Sequence, residues 1–204
     1  MTMTPLPGAL RLLTLHGEAA RPWIDPIARL RLTVFREWPY CYEGDLDYER
    51  DYLAHYLASP QSVIGLVLEQ DRALGATTGL PMSQAQPEMQ VPFVRAGATL
   101  SDWFYCGESV LLPTLRGHGI GGRFFDLREQ QARALGHRQI TFCAVERPDD
   151  HPLRPAHYRG NHGLWGRRGY QRQAHLQCQY RWKDLDQSEE TDKTLTFWTR
   201  QLAP

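Results

Sequence analysis

Two groups of residues between positions 103 and 122 have types and spacing that suit chemistry. The first is Arg116-Gly117-His118-Gly119-Ile120-Gly121-Gly122, with four glycines in the six residues from 117 to 122. It follows an apolar run, Trp103 to Leu112, and precedes an amphipathic pattern. Glycines at a junction of loop and helix let several backbone N–H groups converge on one anion, and the positive end of the helix dipole adds to the attraction. The stretch therefore reads as a phosphate cradle. Glycines kept for packing alone would each cost roughly 0.5–1 kcal/mol in a helix, which disfavours a purely structural role. His118 and Arg123 are as readily solvated surface residues as phosphate neighbours. The second group centres on Glu108, held between Gly107 and Ser109 inside the apolar run, where a buried carboxylate needs a reason.

A third candidate group is acidic and aromatic together. Tyr40-Cys41-Tyr42-Glu43-Gly44-Asp45-Leu46-Asp47 follows Pro39, and linking segments of that kind often touch ligands. Asp47 suits a helix cap, Asp45 a solvated loop acid, and Glu43 is free to face a ligand. Asp150 and His151 are adjacent, but neighbours in sequence rarely orient one another and no nucleophilic serine motif accompanies them. They read as part of a structured Pro-rich loop.

The elements that must position these residues are legible from periodicity. Residues 9–15 suit a first strand, and Trp23, Ile27, Leu30 and Val34 mark one face of a helix opened by Pro22 and ended by Pro39. A second helix begins at Asp47, with Tyr48, Tyr52 and Tyr56 on one face. Ser62 to Leu68 and Leu74 to Thr78 form a hairpin about Glu69-Gln70-Asp71-Arg72. The stretch 81–102 has no firm assignment. Trp103 to Leu112 is a strand, and Ile120, Phe124, Leu127 and Ala134 mark the next helix, which Gly136 stops. Gln139 to Val145 is apolar enough for a strand covered on both faces, so strand, helix and strand imply a right-handed parallel crossover. A short helix ending near Gly169 and two closing strands, Tyr170 to Gln173 and Leu176 to Trp182, follow. Leu195, Phe197, Trp198 and Leu202 suggest a final amphipathic helix that packs on the domain or on a second copy in a homodimer.

The spacing Gly117-x-Gly119-x-x-Gly122, with Glu146 at the end of the next strand, also fits a dinucleotide fingerprint. There, however, the first glycine follows its strand directly and opens the domain. Here Pro113 to Arg116 intervene and about half the chain comes first.

The run Leu111 to Gly121 resembles the acetyl-CoA signature of the GNAT N-acetyltransferases: Arg or Gln, two residues, Gly, one residue, then Gly or Ala. Arg116, Gly119 and Gly121 match it. The order of elements over residues 9–182 is similar too. The resemblance implies an α+β fold, a mostly antiparallel sheet flanked by helices, with residues 1–185 as the acetyltransferase domain and 186–204 as a helical extension. It implies that acetyl-CoA enters between two splayed strands, with Leu111 and Leu112 pairing with pantetheine and Arg116, Gly117, His118, Gly119, Ile120, Gly121 and Gly122 holding the pyrophosphate.

The acceptor would be an amine, on a small molecule or a peptide, attacking directly in a ternary complex. An amine with a pKa near 10.4 is neutral in only about one part in two thousand at pH 7, so a nearby carboxylate, direct or through water, helps remove its proton. Glu108 is the candidate base, with a paired structural carboxylate as the other reading, and Glu43 the candidate to steer a cationic amine. The tyrosine that protonates the CoA thiolate in this family has Trp165 at its position, and indole cannot serve as that acid. Tyr158, about two turns earlier, is the candidate substitute. The same departure leaves a non-catalytic acyl-CoA-binding module as the alternative.

Composition narrows the partners. With 23 basic and 23 acidic residues in 204 and no long charged block, sequence-independent binding to nucleic acid or a membrane surface has little electrostatic support. No apolar stretch suits a membrane span or a secretory signal, so the expected location is cytoplasmic. Cys41, Cys106, Cys143 and Cys178 are scattered without a metal-ligating pattern, so no metal is expected and the thiols read as reduced, Cys106 and Cys143 within core strands.

Overall fold

Val63, Gly65 and Val67 point to one side of their strand and Ile64, Leu66 and Leu68 to the other, and all six are buried. Burial on both faces is what a central strand covered by two helical layers requires. In the computed structural model, which describes residues 1–203, this strand belongs to an eight-stranded sheet. Its members are β1 (Thr2–Pro5), β2 (Leu10–Leu15), β3 (Val63–Glu69), β4 (Arg72–Pro81), β5 (Trp103–Leu111), β6 (Gln139–Val145), β7 (Gln171–Lys183) and β8 (Glu190–Gln201). Their order across the sheet is β1-β2-β3-β4-β5-β6-β8-β7.

One face carries α1 (Ile24–Phe35), α2 (Leu46–Leu57) and α3 (Pro87–Arg95), whose Ile27, Leu53 and Phe93 share a core cluster with Leu66 and Phe197. The other carries α4 (Ile120–Ala134) and α5 (His162–Arg167), where Phe125 and Trp165 pack with Phe142 and Trp198. Gly65 is small because α4 crosses it: a Cβ there would come within 2.5 Å of Leu127.

All strand pairs are antiparallel except β5 and β6, and that pair is short. Trp103, Phe104 and Tyr105 face Gln139, Ile140 and Thr141, after which the two strands have no common partners although each runs on. A wedge therefore opens at their carboxyl ends. The backbone of β5 continues from this wedge through a single 3-10 turn, Pro113–Leu115, into the glycine loop and α4.

The chain departs from the sequence-based expectation at its end. Residues 190–201 are not a helix but strand β8, inserted between β6 and β7. The apolar spacing fits a period of two as well: Leu195 and Phe197 enter one core cluster and Trp198 the other. Thr194, Thr196 and Thr199 tip the balance, because β-branched residues suit a pleated surface. Each hydroxyl meets a glutamine of β7, with Gln179, Gln177 and Gln173 donating at 3.0, 3.1 and 2.9 Å. The Phe197-Trp198 pair is thus interior. The two expected closing strands are one, β7, whose register against β8 slips between Gln173 and Gln177.

Candidate active site

The glycine loop is shaped as its composition demands. Gly117 and Gly119 have φ of 81° and 78°, the left-handed region that side chains other than glycine resist, and a Cβ at either would meet nothing within 4 Å. Gly119 is the N-cap of α4 without a side-chain cap, and Ile120 anchors the first turn by burying against Val67 and Phe124. Among the described residues, no group of the chain accepts from the N–H of residues 117–121. Left-handed glycines followed by a free helix start form a concave row of donors, which suits a phosphate group.

Arg116 braces this loop instead of pointing across it. Its Nε donates to the Leu111 carbonyl at 3.0 Å and its Nη1 lies 2.7 Å from Glu37. Leu112 is also engaged through its backbone: its N–H donates to Leu74 O and its C=O accepts from Leu115 N. Its N–H is therefore taken, and the expected backbone pairing of a ligand with Leu112 would rest on the second lone pair of its carbonyl. Alternate residues of the stretch 106–111 turn N–H and C=O toward the wedge, as the antiparallel bond pattern with β4 dictates.

Glu108 sits in a bulge on the other side of the same strand. Thr77 pairs with Ser109 but Gly79 pairs with Cys106, so β5 carries one residue more than β4 across this interval. The bulge is pinned. The Glu108 carbonyl accepts from Thr77 Oγ1 at 2.9 Å and Arg128 Nη1 at 3.3 Å, while its N–H donates to Thr78 Oγ1 at 3.3 Å. Gly107 lies in the bulge because a Cβ would collide with the Tyr56 hydroxyl.

The Glu108 side chain is 2% exposed and meets two partners on one oxygen. Arg31 Nη1 lies 2.6 Å from Oε2, and the Tyr52 hydroxyl donates to the same oxygen at 3.2 Å. Oε1 has no partner. Arg31 also pairs through Nε with Glu49, whose Oε1 is likewise unpartnered. Burial opposes the Arg31 charge, yet Glu108, Tyr52 and Glu49 hold it protonated well above its ordinary range. Burial, with Glu108 beside it, also lifts the Tyr52 hydroxyl far above the usual phenol value, so it stays a donor.

Arg31, Glu49 and Glu108 line one cleft of about 220 Å³, walled by Tyr40, Tyr105, Tyr180 and Trp182. That volume is small beside sites for drug-sized ligands and suits a compact acceptor. Glu43 lines the cleft as expected, but it is paired with Lys183 at 2.8 Å, whose hydrogen bond and charge hold its pKa below the ordinary value. Asp45, not Asp47, caps α2: its Oδ1 accepts from the N–H groups of Asp47 and Tyr48. Asp47 pairs with Arg50. Cys106 is buried in a core strand as read, whereas Cys143 is half-buried and lines the cleft.

The Pro-rich loop 147–155 does not line the cleft. Arg147 turns inward and grips buried Asp184 through both oxygens at 2.7 and 2.8 Å, so the end of the β7–β8 hairpin forms that wall instead. His151 packs on Trp38, with ring centroids 5.0 Å apart. Tyr158 also lies outside the cleft, edge-on to Trp38 at 6.1 Å, and burial raises its pKa against the nearby charges of Arg154 and Arg116. Trp165 belongs to an aromatic cluster with Phe142, Trp198 and His162. Among the described residues no set of three His, Cys, Asp or Glu is placed to hold a metal, and no helix is long and apolar enough to cross a membrane.

Known structures share this fold. An N-acetyltransferase from Staphylococcus aureus aligns with a TM-score of 0.60 over 94% of this chain and 99% of its own, at 13% identity. A putative acetyltransferase from Salmonella typhimurium, determined with its cofactor acetyl-CoA, aligns at 0.58 over 96% and 95%, at 13% identity. An aminoglycoside 6'-N-acetyltransferase complexed with coenzyme A aligns at 0.56 over 94% and 98%, at 14% identity. The fold is that of the GNAT acetyltransferases. No protein-family model and no curated protein sequence matches the chain. In the GNAT fold identified this way, the wedge and glycine loop lie at the strand ends, and the cleft with Glu108 lies on the helical face of α1 and α2.

Sequence reasoning missed Arg31 and Glu49. The available signal was positional: Arg31 lies one turn after Ile27 on the buried face of α1, and Glu49 one turn before Leu53 on that of α2. A charge on a core face implies a buried partner.

Proposed function

We propose that the protein is an N-acetyltransferase that moves the acetyl group of acetyl-CoA to an amine. The observation that carries the reading is the position of Glu108, whose strand separates a phosphate-binding loop and wedge from an amine-sized cleft. Its carboxylate keeps one oxygen on Arg31 and Tyr52 and the other without a partner. Acetyl-CoA, the co-substrate, supplies the activated thioester. Backbone N–H groups of Gly117, His118, Gly119, Ile120 and Gly121 are the candidate pyrophosphate ligands, with Gly122 behind them in the first turn and Arg116 as the brace.

Attack is direct, in a ternary complex. The amine nitrogen forms a bond to the acetyl carbon, the carbon–sulfur bond breaks, and Glu108 takes the proton that the nitrogen sheds. Tyr158 is the candidate donor to the departing sulfur, as a phenol that is protonated at neutral pH. Glu43, tied to Lys183, tunes the charge at the cleft edge.

Free thiol release with acetyl-CoA and a panel of amines, with mass spectrometry of the products, tests the reading. Acetylated amine with matched thiol release supports it. Acetyl-CoA binding without turnover on any amine would favour a binding module, the reading that Trp165 at the usual tyrosine position keeps open.

A further inference from the structure

The charges around the cleft do not balance. Its lining holds the carboxylates of Glu43, Asp45, Glu49, Glu108 and Glu190 against the cations Arg31, Arg181 and Lys183, a surplus of two negative charges. Two of the cations are spent at the rim, Lys183 on Glu43 at 2.8 Å and Arg181 on Glu190 at 3.8 Å. The surplus therefore falls on Asp45 and on the buried set in which one guanidinium serves both Glu49 and Glu108.

That buried set is also short of donors. Oε1 of Glu49 and Oε1 of Glu108 each lack a partner, in side chains that are 0% and 2% exposed. An unpaired carboxylate oxygen out of water is costly, so the site favours a ligand that brings N–H donors and positive charge. The walls add to that preference. Tyr42, Tyr48 and Tyr180 present aromatic surface, which accommodates an alkyl spacer and attracts a cation to its face. Arg31, the one buried cation of the lining, is already held by Glu49 and Glu108, so an acceptor's carboxylate would find counter-charge only at the exposed rim, where Lys183 and Arg181 already face Glu43 and Glu190.

Building on the acetyl-transfer reading, we infer that the acceptor is an aliphatic dication: one amine reacts at Glu108, and a second cationic group is held by Glu49, with Asp45 adding its charge at the α2 end. Glu49 is then a specificity-determining residue that selects against monoamines and zwitterions. Glu108 performs the proton transfer in either case.

Three amines of equal carbon spacing test this: putrescine, n-butylamine and γ-aminobutyrate. Thiol release should give putrescine a kcat/KM at least about tenfold above n-butylamine, with γ-aminobutyrate the poorest, a difference that one added charged contact supplies. In Glu49→Gln the putrescine advantage should collapse toward the n-butylamine value. Asp45→Asn keeps the helix cap, so it serves as a variant whose fold is not at risk, and it should lower the putrescine advantage about twofold to fivefold through KM.

Calorimetric titration of putrescine into the CoA-loaded protein separates the two readings. Putrescine binding that Glu49→Gln weakens, with no turnover on any amine, sustains the dication site and removes acetyl transfer. Turnover of n-butylamine at or above the putrescine rate, or a putrescine preference unchanged in both variants, overturns the dication site and leaves acetyl transfer standing. Neither binding nor turnover overturns both.

Discussion

Arg31 Nη1 lies 2.6 Å from Glu108 Oε2, joining the middle of α1 to the bulge of β5 with both side chains nearly sealed from water. The pair sets the direction of the carboxylate. With Oε2 taken by Arg31 and the Tyr52 hydroxyl, only Oε1 is left to accept a proton from a ligand.

Glu108→Gln keeps the size and removes the base. Turnover should fall on the order of 10²-fold or more, the usual contribution of a positioned base, while circular dichroism and the acetyl-CoA Kd stay near those of the parent. Near-parental turnover across pH would remove Glu108 from that role and leave it a structural ion-pair partner.

Arg31→Met leaves Glu49 and Glu108 facing one another without a counter-charge, and its cost in urea melts should be about 3–5 kcal/mol. Adding Glu49→Gln to Arg31→Met removes one of those stranded charges. The double variant should therefore be more stable than the sum of the two single losses. Additive losses would mean that the three side chains do not act as one set.

Such coupling is what sequence alone conceals. The glycine loop is legible because its function is local: Gly117 to Gly122 carry both the backbone freedom and the helix start within six residues. Glu108 was legible as an anomaly, a carboxylate in an apolar strand. Arg31 stands 77 positions from Glu108 and 18 from Glu49 in the chain, so no spacing rule joins them, and only the placement of α1 and α2 on one face of β5 does. The β8 strand hid for another reason. Four apolar residues in eight fit either period, and the deciding contacts are with Gln173, Gln177 and Gln179 of β7.

Gly119→Ala and Gly122→Ala should separate backbone strain from ligand contact. At Gly119 the φ of 78° makes alanine cost about 1–2 kcal/mol, so both the melting temperature and acetyl-CoA affinity should fall. Gly122 lies within α4 at ordinary φ, and a Cβ would meet nothing within 4 Å. Alanine there should stabilise the apoprotein by about 0.5–1 kcal/mol. If the pyrophosphate rests on this turn, the same change raises the acetyl-CoA Kd. Unchanged affinity in both variants, measured by calorimetry, would take the loop out of the ligand site.

Tyr158→Phe removes the one hydroxyl proposed for the departing thiolate while leaving its ring on Trp38. Turnover should fall by about tenfold to a hundredfold with little change in either KM, as expected for a group acting on the transition state alone. Unchanged turnover would show that the sulfur leaves without an acid from Tyr158.

Acid should weaken the wall of the cleft before it weakens the core. Burial by itself would raise the Asp184 pKa, but the hydrogen bonds and charge of Arg147, with Lys193 and the Trp182 N–H, outweigh it and hold the carboxyl below its ordinary value of about 3.9. A carboxyl depressed in the folded state contributes its full stability above the unfolded-state pKa, and loses it as pH falls through the lower folded-state value. The Asp184 contribution should therefore be constant from pH 7 to about pH 5 and shrink below about pH 4. Asp184→Asn strands Arg147 and Lys193 with no buried anion between them, at a cost of about 3–5 kcal/mol at neutral pH. Urea midpoints measured across pH should show the parent and variant curves converging as the solution is acidified. Parallel curves down to pH 3 would mean that Asp184 does not anchor Arg147 by its charge.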